Sequence, residues 1–184
     1  NSILNPVFYI YTKYFIVPKY GKHVACYVNL DFFTLPRLLV REITNPTIIA
    51  CYVDVPFIND PQLLPIINKK NNKIYTLHLL WGILNSKLAT FFHFNHSPKA
   101  TKGAFPKILV QDIKDFPIPD ISKEINEKLE HLANEIISRK EIDPAADVAK
   151  EEREIDRIVY HIYDLTYDEV LIVDSQTTIT REEY

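Results

Sequence analysis

Residues 77–94 read LHLLWGILNSKLATFFHF, and the spacing of their apolar side chains decides how the rest of the chain is read. Leu77, Leu80, Trp81, Leu84, Leu88, Phe91 and Phe92 recur at the i, i+3, i+4 intervals of one helix face, which predicts a helix from Lys73 to Phe94. Gly82 within it lowers helix propensity without breaking the period. So apolar a helix needs a sheet to lie on, and the preceding segments supply one. YFIVPKY, HVACYVNLDFF, PRLLVREI and TIIACYVDV are rich in Tyr, Val, Ile and Phe and are punctuated by Pro and Asn-Pro, as short strands joined by turns are. After the helix, FPKILVQDIKDFPIP (105–119) reads as a short strand closed by prolines.

Beyond Pro119-Asp120 the period is helical. Ile121, Ile125, Leu129, Leu132, Ile136 and Ile137 form one stripe ending near Lys140, with Ser122 as N-cap; after the turn IDPAAD, Ile155, Ile158, Val159, Ile162 and Tyr163 form a second. Two helices joined by so short a turn are expected to lie antiparallel, and a first helix of about 18 residues is roughly 27 Å long. Thr166 followed by Glu169 fits a capping box that opens a last short helix, DEVLIVD. The expected fold class is α+β: a β-rich unit with a packed helix over residues 1–120, then a helical hairpin and short terminal helix over 121–184, acting as a spacer or docking arm.

Charge divides at the same place. The 184 residues carry a net −3, but residues 1–120 hold +6 and residues 121–184 hold −9. Such asymmetry suggests one unit able to face phosphate and one that repels it. With 47% hydrophobic residues the chain can bury a core and is neither disordered nor fibrous. No apolar run approaches the roughly 20 residues that span a bilayer, and the N-terminus lacks signal-peptide features, so a cytoplasmic protein without membrane contact is expected. Cys26 and Cys51 each sit in a β-branched, aromatic run and are read as reduced core thiols.

The cationic half has a focus. NHSPKATKGAFPKI (95–108) holds one of three glycines in the chain, Gly103, among Lys99, Lys102 and Lys107, between two apolar elements. Loops on a rigid scaffold are where binding residues concentrate. Asn95, His96, Ser97 and Thr101 are candidate base or sugar contacts, Lys99, Lys102 and Lys107 candidate phosphate contacts, and Gly103 allows close backbone approach. The plain alternative is a solvated connection. A second cationic place is the turn PKYGKH, with Lys19, Lys22 and His23; Arg37 and Arg41 flank the strand LLV, and Arg41 beside Glu42 also fits a surface ion pair.

Four phrases together carry a resemblance: LLVREIT (38–44), GILNSKLATFF (82–92), KGAFPKILVQDIKDFPIP (102–119) and EREIDRIVYHIYDLTYDEVLIVD (152–174). From about residue 14 onward the chain resembles the C-terminal specificity region of bacterial DNA methyltransferases of the TaqI type, which recurs in fused type II restriction/methylase enzymes and is similar to type I restriction specificity subunits. The resemblance implies a target-recognition domain that docks in the major groove of double-stranded DNA while a separate catalytic domain, in the same or another chain, methylates an adenine. It implies no catalytic residue and no cofactor in this chain, S-adenosylmethionine being expected in the catalytic domain.

Catalytic signals are weak. Asn5-Pro6-Val7-Phe8 lacks the second proline of the Asn/Asp/Ser-Pro-Pro-Tyr/Phe motif that holds a target amine. Asp112-Ile113-Lys114 offers half of a metal-nuclease motif, but Pro119-Asp120 follows it too closely to be the other half. His93 and His96 have a metal-like gap without a Cys or acidic ligand near them in sequence. No metal site is expected. The absence of any Met, position 1 included, is what a fragment of a larger enzyme or a truncated gene would show. Two other readings remain open: an assembly module built on the acidic hairpin, which could also join two copies, and a small metal-dependent phosphodiesterase using His93, His96 and Asp112.

Overall fold

The computed structural model describes residues 8–10, 31–34, 36–44, 46–69, 75–101 and 105–184. Among these residues four strands, β1 (Phe8–Ile10), β2 (Arg37–Arg41), β3 (Ala50–Val53) and β4 (Leu63–Asn68), form one antiparallel sheet in the order β1-β4-β2-β3. Seven helices accompany them among the described residues: α1 (Asp31–Thr34), α2 (Leu77–Asn85), α3 (Lys87–His96), α4 (Val110–Lys114), α5 (Lys123–Ile142), α6 (Ala149–Ile162) and α7 (Tyr167–Val173). The class is α+β. No described helix is long and apolar enough to cross a membrane.

The sheet is built from alternate contacts that the sequence makes obvious at β2. Leu38 and Val40 are completely buried, opposite Tyr52 and Ala50 of β3 and opposite Ile66 and Leu64 of β4. α2 lies against this sheet with Leu79, Leu80, Ile83 and Leu84 almost wholly buried, and its other side receives α5 and α6. Gly82 faces both helices: a Cβ built on it would stand 3.6 Å from Ile155 Cγ2 of α6 and 3.7 Å from Leu129 Cδ2 of α5. One buried cluster therefore runs from Leu38 through Leu80 to Leu129, Ala133, Ile155 and Val159, across residue 120. The apolar stripes of α5 and α6 are spent on α2 as well as on each other. Lys128–Glu154 and Arg139–Glu151 ion pairs join α5 to α6, the order of partners running in opposite senses along the two helices.

Four expectations are corrected. The helix foreseen over 73–94 is two helices, α2 and α3, because Ser86 leaves helical geometry (φ −69°, ψ 157°), donates its hydroxyl to Ile83 O and accepts the Ala89 N–H as the N-cap of α3. The segment 105–119 forms a single bridge at Lys107 and then the helix α4, whose N-terminal Leu109 N–H is held by Asp112 Oδ2 at 2.7 Å. The last three residues of the predicted strand HVACYVNLDFF, Asp31 to Phe33, form one helical turn together with Thr34. Cys51 is exposed rather than buried, on the strand β3 that among the described residues ends the sheet; Cys26 lies outside the described residues.

The caps read from sequence are present. Ser122 accepts the Ile125 N–H, and Thr166 and Glu169 form a reciprocal capping box at the start of α7. A smaller cluster of Tyr160, Val170 and Ile179 ties α7 and the C-terminal segment to α6.

Candidate nucleic-acid interface

The loop foreseen as a contact surface begins where α3 ends. His96 is exposed, stacks on Phe92 at 4.0 Å between ring centroids and has its Nδ1 3.1 Å from Phe92 O; Asn95 donates from Nδ2 to Phe91 O at 2.7 Å. Both side chains are bound to the last turn of their own helix, so a partner must compete with those bonds. Ser97 is buried and works for the turn itself: its N–H reaches His93 O, its carbonyl receives the Ala100 N–H, and its hydroxyl receives the Lys99 N–H. It is a framework residue. Lys99 and Thr101 are exposed, and neither has an ion-pair or hydrogen-bond partner for its side chain among the described residues.

The other end of the loop is pinned. Lys107 donates its N–H to Lys99 O at 3.3 Å and bridges Ile43, while Thr44 N–H reaches Pro106 O at 3.0 Å and Ile108 N–H reaches Glu42 O at 2.9 Å. Ile108 then enters the core. The loop is thus closed between Lys99 and Lys107 and fastened along residues 42–44, the extension of β2. Lys107 is half-exposed and ion-paired with Glu42 at 3.3 Å, so its charge is already matched. Phe105 projects from the same loop with 67% of its surface exposed, a residue that the reading for charge and hydrogen bonding did not select.

Beneath the loop, His93 fixes α3 to the same extension. Its Nε2 is 3.2 Å from the Thr44 hydroxyl, and the ring is 3% exposed. Burial lowers its pKa, opposed by the Asp112 carboxylate. Burial thus favours the neutral ring of His93, which packs as a structural group, and Asp112 caps α4. Among the described residues no three His, Cys, Asp or Glu side chains gather into a metal-binding group.

Arg37 is corrected from a DNA contact to a core residue. It is 0% exposed; its guanidinium donates to Val55 O at 3.1 Å and Phe57 O at 3.0 Å and lies 4.6 Å from the centre of the Phe57 ring. Burial lowers its pKa from the ordinary value. Lys19, Lys22 and His23 of the second cationic turn, and Lys102 and Gly103 of the loop, lie outside the described residues. Of the twelve candidate contacts, the structure brings Asn95, His96, Ser97, Lys99, Thr101 and Lys107 to one place, of which Lys99 and Thr101 are the most available.

The phrase LNSKL explains how that place is held. Asn85 donates to Ala50 O at 3.1 Å and accepts from Ala50 N at 2.9 Å, grasping β3; Ser86 starts α3; and the Lys87 N–H bonds Asp156 of α6 at 2.8 Å. Three consecutive residues set the direction of α3 relative to the sheet and to α6. Open clefts of about 330 Å³ and 250 Å³ flank this joint, bordered by Asn85, Lys87, Glu152 and Asp156 and by Asp156, Asp174 and Thr177 respectively, rather than by the loop.

The family model described as the TaqI-like C-terminal specificity domain matches residues 7–118, more than half of the chain. The match covers the sheet, α2, α3 and the loop, and stops before α5, so the phrase at 152–174 falls beyond it. Comparison with curated proteins found no match.

Proposed function

Because the chain belongs to the family of TaqI-like C-terminal specificity domains, we propose that it selects a sequence in double-stranded DNA for an adenine-specific methyltransferase of a restriction-modification system, with loop 95–108 as its reading element. Specificity modules of this family serve DNA recognition in restriction-modification enzymes. The observation that carries the choice of loop is its construction. Lys99 and Thr101 stand exposed on a loop whose ends are joined by the Lys107 N–H to Lys99 O bond and fastened to the extension of β2.

The division of labour follows from groove chemistry. A lysine ammonium reaches phosphate and supplies affinity and register, while hydroxyl and amide groups discriminate base edges in the major groove. Lys99 suits the first task; Thr101, with Asn95 and His96 once released from their helix, suits the second. Lys102 and Gly103 of the loop, and Lys19, Lys22 and His23 of the second cationic turn, all outside the described residues, remain further candidates for DNA contact. The catalytic domain, in the same or another chain, would supply the S-adenosylmethionine site and hold the target adenine outside the helix. The acidic α5–α6 unit suits contact with that domain rather than with DNA, since its charge repels phosphate. Action inside the bacterial cytoplasm belongs to the same proposal.

The test is a salt titration of the chain with a labelled pool of duplexes. Affinity falls with salt at about 0.9 units of log–log slope per phosphate neutralised. No methylation and no cleavage are expected when the chain alone is mixed with duplex and either S-adenosylmethionine or Mg²⁺. Binding indifferent to salt, or turnover by a pure preparation, would reject the proposal.

A further inference from the structure

The geometry points to Phe105 as a base contact: we infer that its ring stacks on, or wedges against, a base of the bound duplex, an apolar role beside the polar and charged ones. The inference rests on the proposed function. A lone exposed apolar side chain is common on protein surfaces. Two features set this one apart.

The first is presentation. Phe105 is 67% exposed, yet the backbone just after it is immobilised: Pro106 has a fixed φ and its carbonyl accepts the Thr44 N–H, Lys107 bridges Ile43 and bonds Lys99 O, and Ile108 is buried. A ring held out on a fixed base costs little ordering entropy when it meets a partner. The second is company. Lys99 and Thr101 stand exposed across the closing bond, and the carboxylate in the same bonded network, Glu42, is neutralised by Lys107. An exposed aromatic ring on the same loop as an exposed lysine and an exposed threonine matches a base between phosphates better than it matches an apolar protein groove. Where the duplex is opened at a flipped nucleotide, an apolar side chain can also occupy the disturbed stack.

Phe105→Ala and Phe105→Trp, made in the full chain, test this. Because the ring is exposed, both variants are expected to keep the wild-type circular dichroism. Titrated with fluorescein-labelled duplexes enriched from a random pool by the wild-type chain, Phe105→Ala should bind about tenfold more weakly with an unchanged salt slope, since stacking and not a phosphate contact is lost. In Phe105→Trp the new indole emission should be quenched in step with the anisotropy of the duplex, over a constant background from the buried Trp81. Wild-type affinity in Phe105→Ala together with unquenched indole, while binding keeps its salt slope, overturns the base contact. Failure of the wild type to bind any duplex in a salt-dependent way overturns the proposed function and this inference with it.

Discussion

The carboxylate of Asp156, on α6, accepts a hydrogen bond from the backbone N–H of Lys87, the first residue of α3, at 2.8 Å. One helix thus caps another, with the Ser86 hydroxyl serving the Ala89 N–H two residues further along. Burial pushes the Asp156 pKa up from 3.8 to about 6; the Lys87 N–H and ammonium oppose this, and Asp174 and Glu152 add to it.

The sign of the consequence is fixed. Between pH 3.8 and about 6 the folded chain holds a proton on Asp156 that the unfolded chain has lost, so this group's contribution falls as pH rises through that window and is level above it. At about 1.4 kcal/mol per pH unit the cost approaches 3 kcal/mol at most. Asp156→Asn keeps an acceptor for Lys87 and removes the charge. It should be more stable than wild type at pH 7 by about 1 kcal/mol or more, with the difference vanishing near pH 4. Glu154 has the opposite sign: Arg157 and then Lys128 hold its pKa down to about 2, against burial, giving stability that is present above pH 4.5 and lost as pH falls toward 2. Urea unfolding across pH 3–8 checks both; equal pH profiles for wild type and Asp156→Asn would count against the buried charge.

Gly82→Ala should stabilise. The added methyl would meet Ile155 and Leu129 at ordinary contact distances, 3.6 and 3.7 Å, and the helix interior gains about 1 kcal/mol over glycine. A rise in urea midpoint with an unchanged slope is the expected reading. Gly82→Leu, by contrast, overfills the junction of α2, α5 and α6 and should lower it.

Arg37→Ala should cost about 2–4 kcal/mol, because it removes a buried charge bonded to Val55 O and Phe57 O and leaves both carbonyls short of a donor. Arg37→Lys should recover little, since one ammonium cannot reproduce the fork or lie flat against the Phe57 ring. Neither change should alter the salt slope of duplex binding. A lost unit of slope with intact stability would return Arg37 to the binding surface.

Lys99→Ala and Thr101→Val should separate general from specific effects. The first lowers affinity for all duplexes alike and reduces the salt slope by about 0.9, while the second costs about 1–3 kcal/mol on the selected sequence and little elsewhere. Competition between enriched and random duplexes at two salt concentrations distinguishes them. Equal loss on both pools from Thr101→Val would place its hydroxyl on the backbone.

What the sequence revealed and concealed has physical reasons. β2 was legible because Leu38-Leu39-Val40 is fully apolar, as a strand flanked on both sides must be. β4 was not, because Pro65 lies inside it and proline argues against an inner strand, yet β4 sits between β1 and β2 with Pro65 opposite Leu39. The break at Ser86 was hidden by the continuous apolar period, since Leu84 and Leu88 both turn toward the core on either side of it. At the loop, residue types told which side chains could bind DNA, but not that Ser97 is consumed by its own turn or that Lys107 is matched by Glu42. Arg37 looked like a surface cation because its partners, Val55 O and Phe57 O, lie 18 and 20 residues away.

The paired bonds between the Asn85 amide and Ala50 bear on how the chain behaves in company with copies of itself. Among the described residues β3 ends the sheet, and exposed Ile49, Cys51, Val55, Phe57 and Ile58 lie along and just beyond it. An unpaired apolar strand edge is a template on which another chain can add. By taking both the N–H and the C=O of Ala50, Asn85 occupies one rung of that template with a side chain that cannot be extended into a strand. Loss of the amide would then show itself in a way that dilution relieves, as turbidity and intermolecular β-structure that grow with protein concentration.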